Sequence, residues 1–503
     1  MSIDPPLHLN LASHLNIIFF HLPTVPKEQL LGITVKKNED LSEWYTQAIL
    51  KADLADYTSV SGCIVLKPYG YRIWELIQQE IDLQIKKRGV QNVAFPLLIP
   101  ERLLMKESTH VAGFAPEVAW VTHGGNSKLD ERLAIRPTSE TIMYESFSKW
   151  IRSHRDLPFR TNQWNSVIRW EFKHPVPFLR TREFWWNEGH TCHATKEEAE
   201  REALDILHMY EHFLEEHMAL PCLTGKKSKT ETFAGAEYTM SCELFLPNGK
   251  AIQGPDSHHD GQIFSKAFDI SFSNESGEKE FVYQNTWAIT TRMIGVMILI
   301  HGDDKGLILP PPLAPYQIVI TPILFEESKS KVLDAVNEIT IALHNYRVHI
   351  DDRSEITPGR KFNEWELKGV PLRLEIGPKD VEKKQVIIVR RDNGEKVAVP
   401  MNELEKKVHD LLFSITHDLL KKAKSHLNKS IVHAKSFAEV LETLNNKQLP
   451  LISWCQSSDC ETAMKEKCEG AKMLVIPFDS TPKGKCVHCG KKAEVEIYFG
   501  KSY

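Results

Sequence analysis

The stretch that decides the fold reads Arg169-Trp170-Glu171-Phe172-Lys173-His174-Pro175, then a turn, then Arg180-Thr181-Arg182-Glu183-Phe184-Trp185-Trp186-Asn187-Glu188-Gly189-His190. Two short runs rich in aromatic residues flank a Pro-rich turn, a pattern that predicts an antiparallel hairpin. Arg169, Arg180, Arg182, Glu171, Glu183 and Glu188 all lie on it. Charges on a strand ordinarily mark a solvated face. Here they alternate with Trp170, Phe172, Phe184, Trp185 and Trp186, more apolar surface than an exposed ribbon carries. Charges set among that many rings point to the lining of a ligand site.

Upstream, apolar residues at Leu41, Trp44, Ala48 and Leu54 predict a helix over Leu41 to Ala55. Pro68 precedes an amphipathic helix from Tyr71 to Lys87, and Val93 to Ile99 is strand-like. The run Leu133-Ala134-Ile135-Arg136-Pro137-Thr138-Ser139-Glu140-Thr141 reads as a short strand entering a capped helix with a first-turn acid.

Downstream, Ala199, Ala203, Ile206, Leu207, Tyr210, Phe213 and Leu214 form one helical stripe. Lys226-Lys227-Ser228-Lys229-Thr230 reads as a solvated turn, with phosphate contact as the alternative. Gln253 to His259 reads as a polar loop after the short strand Lys250 to Ile252. His258 and His259 lie between Asp256 and Asp260, but adjacent side chains diverge and no i, i+4 His pair accompanies them. A pocket histidine is therefore favoured over a metal ligand. From Asn285 a strand runs to Thr290, and an apolar helix follows with Arg292 in its first turn. An arginine there has no helix-dipole rationale, which points to a ligand.

Pro310-Pro311-Pro312-Leu313-Ala314-Pro315 predicts a stiff linker and a domain boundary. Beyond it, strands at Tyr316–Thr321, Arg347–Ile350, Pro371–Ile376 and Gln385–Val389 and a helix at Lys329–His344 predict a small α/β domain. Arg353, Arg360, Lys361, Lys368 and Arg373, with Phe362 and Trp365 between them, suit single-stranded RNA. The alternative is that Phe362 and Trp365 are core of an amphipathic helix. In the tail, Cys455 and Cys460 pair with Cys486 and Cys489 across a loop of roughly 30 residues, the spacing of a tetrahedral structural Zn²⁺ site. Cys468 and His488 are spare candidates.

Composition sets the frame. The 503 residues are 42% apolar, enough core for several domains. No stretch approaches the roughly 20 apolar residues of a membrane span. Leu15 to Leu22 is too short and lacks the flanks of a signal peptide. Nine unevenly spaced cysteines argue against a secreted disulfide framework and for a cytoplasmic protein. The net charge of −5 means that any nucleic acid is met by local patches.

An Arg-x-Glu run, a loop and a closing Arg resemble motif 2 of the class II aminoacyl-tRNA synthetases. The Pro68 helix resembles their motif 1, which forms the dimer interface, and Thr290-Thr291-Arg292 their motif 3. Lys67-Pro68-Tyr69-Gly70, Pro137-Thr138-Ser139-Glu140, Gln253 to His258, Trp365-Glu366-Leu367-Lys368-Gly369-Val370-Pro371, the Cys pairs and the final Tyr503 extend the resemblance. From about residue 34 to Tyr503 the chain resembles the prolyl-tRNA synthetases of archaeal and eukaryotic type.

The resemblance implies an extension at 1–33 and an α+β catalytic domain at 34–309, an antiparallel sheet with flanking helices. It further implies an α/β anticodon-binding domain at 316–415 and a small zinc-containing α/β domain at 416–503. The implied protein is a cytoplasmic homodimer that joins L-proline to tRNA(Pro) through a prolyl-adenylate. Thr138, Glu140, Arg169, Trp186, Glu188, His190 and His258 would line the proline pocket. Arg169, Glu171, Arg180, Thr181, Gln253, Thr290 and Arg292 would hold ATP, whose phosphates Mg²⁺ bridges. Arg169 and Arg292 would be catalytic. The chemistry agrees. A planar guanidinium can bridge carboxylate and α-phosphate. A Trp can cover the proline ring while carboxylates meet its secondary ammonium. On the phosphate-contact alternative given above, the lysines from Lys226 would meet the tRNA acceptor stem.

Asp256 departs from the family, which usually has Thr there, and it brings negative charge near ATP. About 60 residues between motif 2 and Gln253 are too few for an inserted editing domain, so no hydrolytic editing in cis is expected. A threonine-specific relative would need a zinc in the pocket, and no Cys/His set for one is evident. A non-catalytic sensor would be expected to lose an ATP arginine, and Arg169, Arg180 and Arg292 are all present.

Overall fold

The computed structural model describes residues 32–110, 117–171 and 174–503, the side chains of 106–110 excepted. Nearly all of the 1–33 extension, the apolar run Leu15 to Leu22, and Phe172 and Lys173 lie outside the described residues.

Sequence pattern and structure agree on most elements. The helix α1 (Leu41–Lys51) is capped by the Asp40 side chain, and α2 (Pro68–Lys87) starts with its proline in the first turn. The expected strand over Val93 to Ile99 is irregular from Val93 to Leu97; the strands are β1 (Gln91–Asn92) just before it and Leu98–Pro100 at its end. The helix α3 (Glu140–Trp150) follows Ser139, but the Ser139 side chain makes no capping bond; it turns toward Glu188 instead.

One large sheet carries the site. Its strands are β1, β2 (Phe159–Ile168), β3 (Glu183–His193), β4 (Leu223–Lys226), β5 (Tyr238–Phe245), β6 (Ala251–Gly261), β7 (Tyr283–Thr290) and β8 (Ile476–Pro477). They lie in the order β8-β4-β5-β6-β7-β3-β2-β1, antiparallel except for β1 beside β2. Two helices cover the back. α4 (Lys196–Met218) buries the predicted stripe, and α5 (Arg292–His301) is apolar nearly all round and buried.

Three expectations are corrected. The predicted hairpin is real but longer. Its strands are β2 and β3, and Arg169 to Arg182 is the connecting loop, closed by the Arg169 N–H on the Arg182 carbonyl at 2.8 Å. Gln253 to His259 is no loop but the middle of β6. The Pro310 to Pro315 segment is no exposed linker. Pro311 and Leu313 are buried in a 3-10 turn, and Arg347 donates to the carbonyls of Pro311, Pro312 and Ala314 at 2.8 to 2.9 Å.

The following α/β unit has a five-stranded sheet with Leu372–Ile376 at its centre and Ile318–Pro322 beside it. The long helix α6 (Leu404–Ser430) then crosses position 415 without interruption. A last four-stranded sheet holds Ile431–Ala434, Leu449–Trp454, Val495–Gly500 and Lys472–Met473, with α7 (Ser458–Lys467) beside it. β8 leaves this unit to extend the large sheet next to β4. Ser502 and Tyr503 pair with Ala251 at the start of β6. No described helix is long and apolar enough to cross a membrane.

Candidate active site

Strand parity gathers the predicted residues on one face. On β3, Trp186, Glu188 and His190 point the same way. Their ladder partners are Asn165, Gln163 and Thr161 on β2 and Thr290, Ala288 and Thr286 on β7. His258 stands opposite Thr286, and Asp256 opposite Ala288. Of these, Trp186, Glu188, His190, Asp256, His258, Thr286, Ala288 and Thr290 floor a cleft of about 540 Å³. Thr138 and Glu140 close one wall; Arg169, Glu171, Arg180 and Thr181 from the connecting loop close another; Gln253 and Arg292 complete it. All thirteen predicted proline and ATP residues line this one cleft.

Each half of the cleft has its own electrostatics. Arg169 donates from Nε to the Pro137 carbonyl at 3.0 Å, with its guanidinium 5.4 Å from the Trp186 ring and 5.5 Å from that of Phe184. Arg292 donates to the carbonyls of Leu179 (3.2 Å) and Gln253 (3.1 Å). Burial and then the nearby Arg169 lower its pKa, as expected for guanidiniums gathered where an anion belongs. Across the cleft, Trp186 donates to Asn165 at 2.8 Å, which fixes the indole over the floor. Glu188 is buried. Burial opposes its charge, yet bonds from His190, Ser139 and Asn165 outweigh this and hold its pKa below the ordinary value. Thr138 donates to Glu140, so two buried carboxylates face the cleft beside Trp186.

Asp256 also lines the cleft and accepts from Gln253 at 2.6 Å. Burial works against its charge, but His258, Gln253 and Lys227 more than offset that and keep it ionised. Its charge is thus already balanced by neighbours. His258 is a pocket histidine as expected: Nδ1 lies 2.8 Å from the Thr239 hydroxyl and its ring 4.8 Å from that of Phe233.

Sequence reasoning missed several residues. Thr286 and Ala288 share the parity of Thr290 on β7 and were findable from it. Glu231 and Phe233 reach the cleft from the β4–β5 turn, where no periodicity flags them. Neither reading of the Lys226 run holds throughout. Lys227 is buried in an ion pair with Glu243, and Lys226 lies 4.2 Å over the Tyr238 ring.

Further along, the expected RNA-binding cations are mostly paired. Arg353 binds Asp351 and Glu364, Arg373 binds Glu366 and Glu375, and Lys368 reaches Asp53. Lys361 is buried, and Trp365 donates to Asp351 at 2.8 Å from the core. Trp365 thus follows the core alternative, while Phe362 stacks 4.3 Å under Arg373.

In the tail, Cys455, Cys460, Cys486 and Cys489 bring their sulfurs within 4.8 Å of one another; two of the separations are 3.6 Å. Four thiolates around Zn²⁺ at about 2.3 Å stand about 3.8 Å apart, so the cluster fits the ion. Cys468 packs in the local core instead, and His488 is not in the cluster. Among the described residues no other set of three or more His, Cys, Asp or Glu side chains converges in this way.

An antiparallel sheet whose motif 2 loop and motif 3 arginine meet over an acidic pocket defines a class II aminoacyl-tRNA synthetase. A family model for the tRNA synthetase class II core domain (G, H, P, S and T) matches residues 120–301. Models for an anticodon binding domain and for the prolyl-tRNA synthetase C-terminal match 317–411 and 437–503. The chain is 47% identical to the cytoplasmic proline–tRNA ligase of Arabidopsis thaliana, over 95% of this chain and 92% of that one. It is 46% identical to the proline–tRNA ligase of Natranaerobius thermophilus, over 95% and 99%. A crystal structure of prolyl-tRNA synthetase from Cryptosporidium parvum, complexed with halofuginone and AMPPNP, matches with a TM-score of 0.91 at 47% identity, over 94% of this chain and 100% of that one. The chain belongs to the proline–tRNA ligase family.

Proposed function

We propose that this chain activates L-proline with ATP and transfers the prolyl group to the 3′ end of tRNA(Pro). The observation that carries this reading is the position of Arg169. It stands between the Trp186 face and Arg292, where one guanidinium reaches both halves of the cleft.

The step follows from that placement. Proline enters with its ring against Trp186 and its secondary ammonium toward Glu140 and Glu188, with Thr138, His190 and His258 around it. Its carboxylate oxygen attacks the α-phosphorus, and pyrophosphate leaves. Arg169 neutralises the charge that gathers between carboxylate and phosphate. Arg180 and Arg292 meet the distal phosphates, with Mg²⁺ bound to those phosphates as part of the substrate. Glu171, Thr181, Gln253 and Thr290 position the nucleotide. Holding both reactants in line supplies much of the rate. Proline-dependent ATP–pyrophosphate exchange tests this. Exchange that answers to threonine, or to no amino acid, would overturn it.

Further assignments belong to the same reading. The units at 34–309, 316–415 and 416–503 act as catalytic, anticodon-binding and zinc-bearing domains, with α6 shared by the last two. The four cysteines hold a structural Zn²⁺, which would cross-link the tail and leave no open coordination position. A homodimer is supported by apolar side chains exposed around motif 1, among them Tyr57, Val60, Val65 and Leu83, and a cytoplasmic location belongs to the same reading. No editing in cis is expected, since α4, β4 and β5 take up the segment between motif 2 and β6. Alanine-mischarged tRNA(Pro) should survive incubation with the protein; rapid deacylation would reject that assignment.

A further inference from the structure

We propose that the C-terminal unit positions the roof of the proline cleft, through Lys472 acting on Glu231 and Glu461 acting on Ser228. The inference rests on the proline reading above and concerns how that same pocket is held closed.

The roof is the turn between β4 and β5. Glu231, Phe233 and Ala234 from it line the cleft. The Phe233 N–H donates to the Thr239 hydroxyl at 2.9 Å, and that hydroxyl lies 2.8 Å from His258, so the roof and a pocket histidine share one atom. Inside the turn, Thr232 donates to the Ser228 carbonyl at 2.8 Å, Gly235 and Ala236 donate to the Phe233 carbonyl at 3.0 Å, and Phe233 packs near Phe264, but no helix or strand spans it. A segment without regular structure loses conformational entropy when a ligand orders it, which weakens binding unless outside contacts order it first.

Its outer side is anchored by another part of the chain. Ser228 donates to Glu461 on α7 at 2.7 Å, and both residues are buried. Lys472 donates to Glu231 at 2.7 Å, their side chains 29% and 16% exposed. β8 pairs with Gly225 and Lys226 on the strand feeding the turn, so closely that a Cβ on Gly225 would lie 2.1 Å from the Ile476 carbonyl oxygen. Three contacts from one unit therefore fall on a short segment that roofs the cleft of another. Glu461 follows Cys460 directly, so the cysteine cluster is one peptide bond from this anchor. Such a continuous chain of contacts is a physical route for coupling, and it yields a measurable consequence.

Lys472 and Ser228 are positioning residues, so their signature is a change in proline affinity alone. In pyrophosphate exchange, Lys472→Met should raise the proline KM about fivefold and leave kcat and the ATP KM within about twofold. Lys472→Arg, which keeps the charge, should recover most of the change. Ser228→Ala removes one hydroxyl and should move the proline KM the same way, which gives a reading even if Lys472→Met folds poorly. An unchanged proline KM in both variants, with parental melting curves, overturns the inference. So does an equal rise in the proline and ATP KM. A parent with no proline-dependent exchange would instead reject the functional reading beneath it.

Discussion

Arg169 is tied by one nitrogen to the Pro137 carbonyl, and among the described residues its terminal nitrogens have no partner. Arg169→Ala should therefore leave the fold intact and cut adenylate formation at least about a hundredfold, roughly 2.7 kcal/mol. Exchange within tenfold of the parent would contradict the role. Asp260 shows the opposite electrostatics beneath the same floor. It is fully buried; one oxygen accepts from Thr286 at 3.4 Å and the other has no partner. Burial, then the charge of Glu140, pushes its pKa well above the ordinary 3.8. The unfolded chain releases this proton first, so the parent loses stability as pH rises above that value. Asp260→Asn ionises in neither state, so its advantage over the parent in urea melts should grow from about pH 4.5 to about pH 7. A difference independent of pH would show that Asp260 is ionised in the fold. Arg169, Trp186, Glu188 and Arg292 were legible because their residue types carry unusual chemistry. Asp260 was seen only as a flank of two histidines, because burial is a property of three dimensions.

The element scale explains what the sequence misled about. Gly254-Pro255 looks like turn punctuation, yet it lies inside β6. The register skips between Ser241 and Glu243 opposite it, and at such a bulge the missing N–H of Pro255 is tolerated. The prolines of 310–315 read as a spacer, but their carbonyls are acceptors that Arg347 gathers into the interior. Helices were easier, because the stripe of α4 repeats over many turns. Glycine on β3 has a reason of its own. A Cβ on Gly189 would lie 2.0 Å from the buried Trp287 ring, so β3 must present bare backbone there. Gly189→Ala should lower stability by about 1–3 kcal/mol and shift neighbouring Glu188. An unchanged melting temperature would mean that Trp287 repacks freely.

At the scale of the whole molecule, three units share cores and ladders rather than hanging on linkers. Arg391 grips Asp303 with two bonds at 2.6 and 2.8 Å across the junction of the first two. If zinc organises the third, Cys486→Ser should lower the metal content measured by elemental analysis and lower the melting temperature of the tail. Full metal stoichiometry in that variant would remove the site. The interlock also bears on how the protein is made. Until Pro477 has left the ribosome, the outer rim of β4 has no neighbour, and its open N–H and C=O groups invite strangers. A nascent chain stalled near residue 470 should therefore clump or call on chaperones, although every residue of its catalytic cleft has already been synthesised.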